Sequence, residues 1–326
     1  MADRRSLLLG LVGATSLAWT RRAQGAEPPL LGVHANNGKR VALSWQNDVS
    51  SESMGAYVYA DEKIRRPYFE NLGFPFSSTR LTRNHPPQDG DSEDHATMHP
   101  GVWLAFGDLN GHDFWRNQGR VVLEKFVERP TGGGQLKDWR VSFTALHRYD
   151  AADGTPVARE TFVCRMTSFD GPGRSWTLDW DSTLEPIDKP LVFGDQEEMG
   201  LGVRLATDLT VAKGGRIKNS EGREQEKGVW GRPADWCLYT HKDRGVLLLA
   251  HPENFKKSSF HVRDYGLMVA NPFAEQAFGR GGPAKTTVKP GEKLRLRYRL
   301  VMLGNARNEK FDPAALYQDY VAPPQK

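Results

Sequence analysis

The chain has 326 residues, 26% of them charged, with nine histidines, two cysteines and a formal net charge of +4. It is long enough to bury a substantial core as one all-β domain. A P-loop, a G-x-S-x-G elbow, a credible G-x-G-x-x-G after a strand and a C-x-x-C pair are all missing, which argues against phosphoryl transfer and dinucleotide-dependent hydride transfer.

The charge sits mostly at the start. Residues 1–25 carry Arg4, Arg5, Arg21 and Arg22 against Asp3, a net +3, so the remainder carries +1. That balance disfavours nucleic acid or an anionic membrane as partner. Arg4-Arg5-Ser6-Leu7-Leu8, an apolar run to about Trp19 and a small-residue site at Ala23-Gln24-Gly25 predict a signal peptide over residues 1–25, of the twin-arginine type. A Sec signal with incidental arginines is the alternative. The apolar run is too short to stay as a membrane span and none follows it, so stable membrane insertion is not expected. The expected location is periplasmic or otherwise secreted, and residues 26–326 form one domain.

From Leu30 onward short apolar alternations are punctuated by glycine, proline and asparagine. Strands are predicted at Arg40–Gln46, Met54–Ala60, Arg120–Glu128, Asp138–Tyr149, Arg159–Ser168, Ser175–Leu184 and Lys293–Leu303. Trp139, Val141, Phe143 and Ala145 share one face of their strand, and Trp176, Leu178 and Trp180 share another. Near the end Leu294, Leu296, Tyr298 and Leu300 alternate with Arg295, Arg297 and Arg299. Half-buried antiparallel strands have this pattern. One helix is predicted, Asp312 to Tyr320, with Asp312 as N-cap and Pro313 in the first turn. The fold expected is all-β, a large antiparallel β-sandwich with long loops and a short C-terminal helix. Cys164 and Cys237 each lie in an apolar strand-like run; buried free thiols are favoured over a disulfide.

Chemistry-bearing residues gather in Glu93–Trp115, which holds His95, His99 and His112, two tryptophans and the turn dipeptide Asn110-Gly111. Asp94-His95-x-x-x-His99 suits an acid/base pair or two metal ligands, with Asp94 orienting a ring. A hydrogen-bonded structural histidine is the commoner fate of such spacing. A second cluster runs from His251 to Asn271. At a spacing of two, His261 and Arg263 share a strand face. The stretch Gly194–Arg204 offers Glu197 and Glu198 as base or ligand. Arg66, Arg80, Arg204 and Arg263 are candidates for holding hydroxyls or a carbonyl oxygen, with Asn110, Tyr265 and Asn271 as further polar contacts. Trp103 and Trp236 are candidates for stacking on a sugar ring, although core packing explains tryptophans equally well. The catalytic candidates are His95, His99, His261 and Glu198. No cofactor is identified; a divalent metal at His95 and His99 is one candidate. Glu93–Trp115 is expected to form one wall of a pocket and His251–Asn271 the other.

The ordered segments RPYFENL, STR, DH-x-x-x-H-x-G-x-W with NG-x-DFW, GD-x-EE-x-G-x-x-x-R, WGRPADWC and HP-x-N…FHVRDYG…NPF resemble the secreted PmoA-like ("methane oxygenase PmoA") domain family, from about Arg66 to Phe273. The resemblance implies a carbohydrate-associated β-sandwich, with a galactose-mutarotase-like supersandwich as one form, and a place near sugar oxidoreductases and polysaccharide utilisation. It does not imply methane oxidation, because that monooxygenase subunit is an integral membrane protein. Three functions follow as expectations. The first is a lyase or hydrolase acting on a glycoside or keto-sugar. The second is a non-catalytic sugar-binding or assembly protein. The third is a cofactor-bearing redox role, suggested only by the leader. A sugar or glycoside is the expected ligand; oligomeric state is not legible.

Overall fold

Period-two alternation lets a strand bury one face and solvate the other, and here it organises most of the chain. The computed structural model describes residues 30–36, 38–46, 51–75, 77–136, 138–168, 175–304 and 311–322. The leader expected at residues 1–25 lies outside them.

The strands, in order, are β1 (Leu30–Asn36), β2 (Arg40–Gln46), β3 (Ser51–Val58), β4 (Tyr68–Glu70) and β5 (Val102–Phe106). A meander follows: β6 (Arg120–Gln135), β7 (Asp138–Asp150), β8 (Pro156–Ser168) and β9 (Trp176–Pro186). Then come β10 (Leu191–Phe193), β11 (Met199–Arg204), β12 (Arg216–Asn219), the short helix α1 (Gln225–Val229), β13 (Arg232–Pro233) and β14 (Trp236–His241). The chain closes with β15 (Arg244–Ala250), β16 (Ser259–Arg263), β17 (Leu267–Asn271), β18 (Thr286–Val288), β19 (Leu294–Leu303) and the helix α2 (Pro313–Val321).

Every pairing among these strands is antiparallel. One layer reads β6–β7–β8–β9–β19–β15–β14–β12. The other reads β2–β3–β4–β5–β11–β17–β16–β13. β1 pairs along β2 and meets β6 at Leu30 and Gln135, joining the layers at one edge. The main core lies between them: Trp139, Phe143, Phe162, Trp176 and Tyr298 from the first layer pack with Trp45, Tyr57, Phe69, Leu201 and Met268 from the second. This is a β-sandwich.

The expected strands are present, several of them longer than read. The glycine-rich tail of β6 continues its hairpin to Gln135, because main-chain pairing with β7 carries on through bulges where side-chain alternation stops. α2 forms with the expected cap, Asp312 accepting a hydrogen bond from the Ala314 amide at 2.9 Å. It covers the outer face of the first layer, where Trp236, Leu247, Leu249, Val301 and Leu303 gather under Tyr317. Cys164 and Cys237 are both buried and free.

The second layer also has an apolar outer face, and the irregular chain between β4 and β6 covers it. Trp103, Ala105, Trp115, Leu267, Val269, Tyr68 and Val58 form this second cluster, with Met98 and Tyr265 at its edge. The candidate site is built on this covering.

Candidate functional site

Register places both sequence clusters on one surface. His261 pairs with Val269, Val269 with Gly202, and Gly202 with Trp103. Two residues along, Arg263 pairs with Leu267 and Leu267 with Arg204. Partners across a ladder point to the same side, so His261, Arg263, Arg204 and Trp103 share the outer face of β5–β11–β17–β16. Gly202 makes the middle of this face shallow: a Cβ there would meet Trp103 at 2.7 Å and Trp115 at 3.1 Å.

Three buried arginines hold the covering loop, Arg66 and Arg83 by its carbonyls and Arg204 by the Asp94 carboxylate. Arg66 donates from Nη1 to Trp115 O at 2.9 Å and to Asn117 Oδ1 at 2.8 Å, and from Nη2 to Met98 O. Burial pushes its guanidinium down to about 9. Arg83 reaches Ser92 O at 2.8 Å, Asp94 O at 2.7 Å and His99 O at 3.0 Å. Arg204 grips the Asp94 carboxylate with both Nη atoms, at 3.0 and 2.8 Å. Burial alone would raise the Asp94 carboxyl, but hydrogen bonds from Arg204, Ser92 and His95 together hold it well below the usual carboxylate range.

Asp94 in turn orients His95, whose Nδ1 lies 3.0 Å from Asp94 Oδ2. The His95 ring is exposed at the surface, on a backbone with φ of 52°. It belongs to a column of rings. Tyr265 stacks on His95 (centroids 5.9 Å apart), His95 on His99 (5.0 Å) and His99 on Trp103 (5.3 Å). Arg204 lies 4.4 Å from the centre of the Tyr265 ring and Arg66 5.6 Å from that of Trp103. Tyr265 is half-buried, and burial raises its phenol.

This geometry corrects several sequence expectations. His99 is buried and accepts from Trp115 Nε1 at 3.4 Å. Burial, with the charges of Arg204, His95, Arg66 and Arg83 around it, pushes its imidazole down to about 2, so it stays neutral and is not an acid/base group in exchange with solvent. The proposed His95–His99 metal pair fails on orientation. Ligating lone pairs lie in the ring plane, whereas these rings stack at 24° and cannot aim at one ion. Among the described residues no group of three or more His, Cys, Asp or Glu side chains is arranged to hold a metal. Trp103 is fully buried between His99, Trp115 and Arg66, leaving no ring face for a sugar.

The second cluster has its own chemistry. Glu197, rather than Glu198, faces His261: its carboxylate lies 3.3 Å from His261 Nδ1, off the line of a hydrogen bond, and accepts from Arg263 at 3.0 Å. Arg263 also donates to Glu226 at 3.0 Å and lies 5.6 Å from the centre of the half-buried Trp230 ring. His261 is buried and pushed down to about 3 by burial and by Arg263, so it is neutral near neutral pH, cannot serve as a proton donor there and is only a weak base. Glu198 is paired with Arg116. Asn271 is fully buried and spends its amide on Gln196 O, Glu197 O, Phe273 N and Ala274 N.

The remaining candidates lie elsewhere. Asn110 occupies the expected turn with φ of 55° and ties it to Pro190 and Val192. Arg80 reaches Ser53 O and Ser77 O. Trp236 is buried under α2 in the other layer. The structure thus joins His95, His99, Arg66, Arg204, Trp103 and Tyr265 in one group. His261, Arg263 and Asn271 lie in a second group on the same sheet.

Sequence reading missed Arg83 and Glu226, whose roles depend on loop paths; Trp230 entered it only as the first residue of the aromatic run WGRPADWC. It also missed a polar network inside the sandwich. Glu160 accepts from His147 Nδ1 at 3.1 Å, from Tyr149 at 3.0 Å and from Ser182, while Tyr57 Oη lies 2.8 Å from His147 Nε2. A signal was present: the inward phase Trp139-Val141-Phe143-Ala145 runs on to His147, and the inward phase of β8 runs back to Glu160, its partner in register.

A sequence search against curated proteins returns no match. Among solved structures, an α-galactosidase from Lactobacillus brevis is similar at 10% identity and a TM-score of 0.42, over 87% of this chain and 42% of that one. The chain therefore spans less than half of that enzyme's length, and a likeness this distant lends no weight to an activity. One family model covers most of the chain, residues 44–315, including both clusters on the sheet face, and on that match the chain belongs to the family of unknown function DUF6807.

Proposed function

We propose that the chain is a carbohydrate-active protein that performs acid–base chemistry on a glycoside or keto-sugar at the Asp94–His95 dyad. One observation carries the reading. Asp94 is held ionised by Arg204 and engages His95 Nδ1, while the exposed ring makes no protein hydrogen bond through Nε2 among the described residues. With Nδ1–H donated to Asp94, Nε2 presents a lone pair outward and can take a proton from a hydroxyl or from a C–H acidified by a neighbouring carbonyl. Tyr265, kept protonated by burial and stacked beside His95, can donate to the oxyanion that develops. The half-buried Trp230 ring and the Arg263–Glu197–Glu226 group beside it supply an aromatic edge and charged hydrogen-bonding groups, a combination that suits a sugar ring and its hydroxyls.

The PmoA-like resemblance, carried by these same motifs, supports a sugar as substrate. The twin-arginine-type leader supports a periplasmic setting, and retention of an Arg4→Lys/Arg5→Lys variant in the cytoplasm would test that export route. For the activity, the purified chain should release product from 3-keto-glycosides or ordinary glycosides. His95→Ala should cut turnover by about a hundredfold or more. Undiminished activity in His95→Ala would sink the assignment. Glycan binding without turnover, lost on Trp230→Ala and kept in His95→Ala, would favour a non-catalytic sugar-binding protein.

A further inference from the structure

A second concavity, of about 650 Å³, opens between the β1–β2 turn, the chain just after β3 and the start of β6. None of the groups discussed so far lines it except Arg66. Its rim is cationic: Lys39, Arg65, Arg66, Arg120 and Lys125 face two acids, Asp61 and Glu62.

The acids do little to neutralise that charge. Asp61 accepts from the Lys63 amide at 2.7 Å, the Ile64 amide at 2.9 Å and Tyr68 Oη at 3.0 Å, which turns it into its own loop. Among the described residues Glu62 approaches only Lys39, at 3.8 Å, with both side chains largely in water. Among the described residues Arg65, Arg120 and Lys125 have no ion-pair partner. Glu124, the acid between β6 neighbours, is occupied by Arg148 and Arg159. At the inner end Arg66 is 3% exposed and its Nε has no partner. Its Nη atoms are already given to Trp115 O, Asn117 Oδ1 and Met98 O, so Arg66 adds positive charge behind the wall rather than a free donor.

The rest of the lining is apolar. Ile64 and Val121 are buried, Leu123 is half-buried, and the half-buried Tyr59 and Phe126 rings meet edge to face at 5.5 Å. The cavity is of the size that holds a mono- or disaccharide. An inorganic ion would use the cations and leave those rings idle, whereas a neutral sugar would use the rings and leave the charge unmatched.

We propose that this cleft is a binding site for an anionic sugar, a ring bearing one carboxylate or phosphate group, separate from the His95 surface. The anion meets Arg120 and Lys125, with the buried charge of Arg66 behind them, and the ring lies against Tyr59 and Phe126. The site shares Arg66 with the loop that carries His95, but its occupancy does not depend on any chemistry there.

Calorimetric titration of the full chain with glucuronate, glucose 6-phosphate, glucose and inorganic phosphate tests this. Saturable binding of glucuronate or glucose 6-phosphate is expected, with glucose and phosphate each about tenfold weaker or more, and the tighter of the two acids identifies the anion. The Arg120→Glu/Lys125→Glu double variant changes two exposed side chains, and its fold can be checked by circular dichroism. It should lose at least about tenfold in affinity, while His95→Ala keeps it. Failure of both acids to bind, phosphate binding as tightly as the sugar phosphate, or unchanged affinity in the double variant would overturn the proposal.

Discussion

Arg204 and Asp94, 110 positions apart, are joined by two parallel hydrogen bonds at 2.8 and 3.0 Å. Arg204 is almost fully buried and Asp94 about one-third exposed, so this pair pins a surface loop to a sheet strand. Replacing Arg204 with Met should cost about 2–4 kcal/mol. Its lower bound reflects the partial solvation left to Asp94. Arg204→Lys should recover little, since an ammonium cannot fork across a carboxylate. Urea midpoints measure both.

The carboxylate of Asp94 is held below its ordinary range when folded. A depressed carboxyl contributes stability that is complete above the unfolded value and lost as pH falls towards the folded one. Asp94→Asn should therefore be less stable than wild type at neutral pH and converge with it in strong acid. Parallel curves across the acid range would contradict the Arg204 grip.

Two buried histidines act at higher pH. His99 and His261 are pushed down to about 2 and about 3. The unfolded chain takes up their protons near pH 6.5 while the folded one does not. Stability is full above that value and falls as pH drops, by up to about 1.4 kcal/mol per pH unit for each histidine. His99→Phe, which keeps a ring on Trp103, should lose less stability between pH 7 and pH 5 than wild type. Equal losses would mean that His99 is not held neutral.

Gly202 tests the shared sheet face. A methyl group there would press on Trp103 at 2.7 Å and Trp115 at 3.1 Å, and both indoles are fully buried. Gly202→Ala should destabilise by about 1–3 kcal/mol through overpacking. It should also disturb the ring column under His95, visible as shifted imidazole signals in NMR spectra.

Inside the sandwich Glu160 serves three donors, from His147, Tyr149 and Ser182. Glu160→Ala leaves all three unmet in the core and should cost about 3 kcal/mol or more, with Glu160→Gln costing less. Thermal unfolding of the two variants gives the comparison.

Strands were legible where side chains alternate. β2 occupies the expected residues, and the predicted inward faces of β7 and β19 are buried. The helix α2 was legible from its cap. Pairing order was not, because register between β5, β11, β17 and β16 depends on strands far apart in sequence. The candidate site was half legible. The density of His, Asp and Trp marked the right loop, and the i, i+2 spacing put His261 and Arg263 on one face. Burial is not written in residue type, so the sequence alone offers His99, Trp103 and Asn271 as reactive or ligand-facing groups although all three are buried. Arg83 shows the reverse: nothing local distinguishes it from a solvated arginine until the loop's carbonyls are seen converging on it.

Arg66 and Arg83 hold the loop by main-chain oxygens at Ser92, Asp94, Met98, His99 and Trp115. Carbonyl oxygens are the same in every residue, so these clamps do not read the side chains they hold. Positions such as Ser92 and Met98 can change identity while the path of the loop is kept. The two arginines have no such latitude, because no other side chain spreads donors over so many oxygens at once.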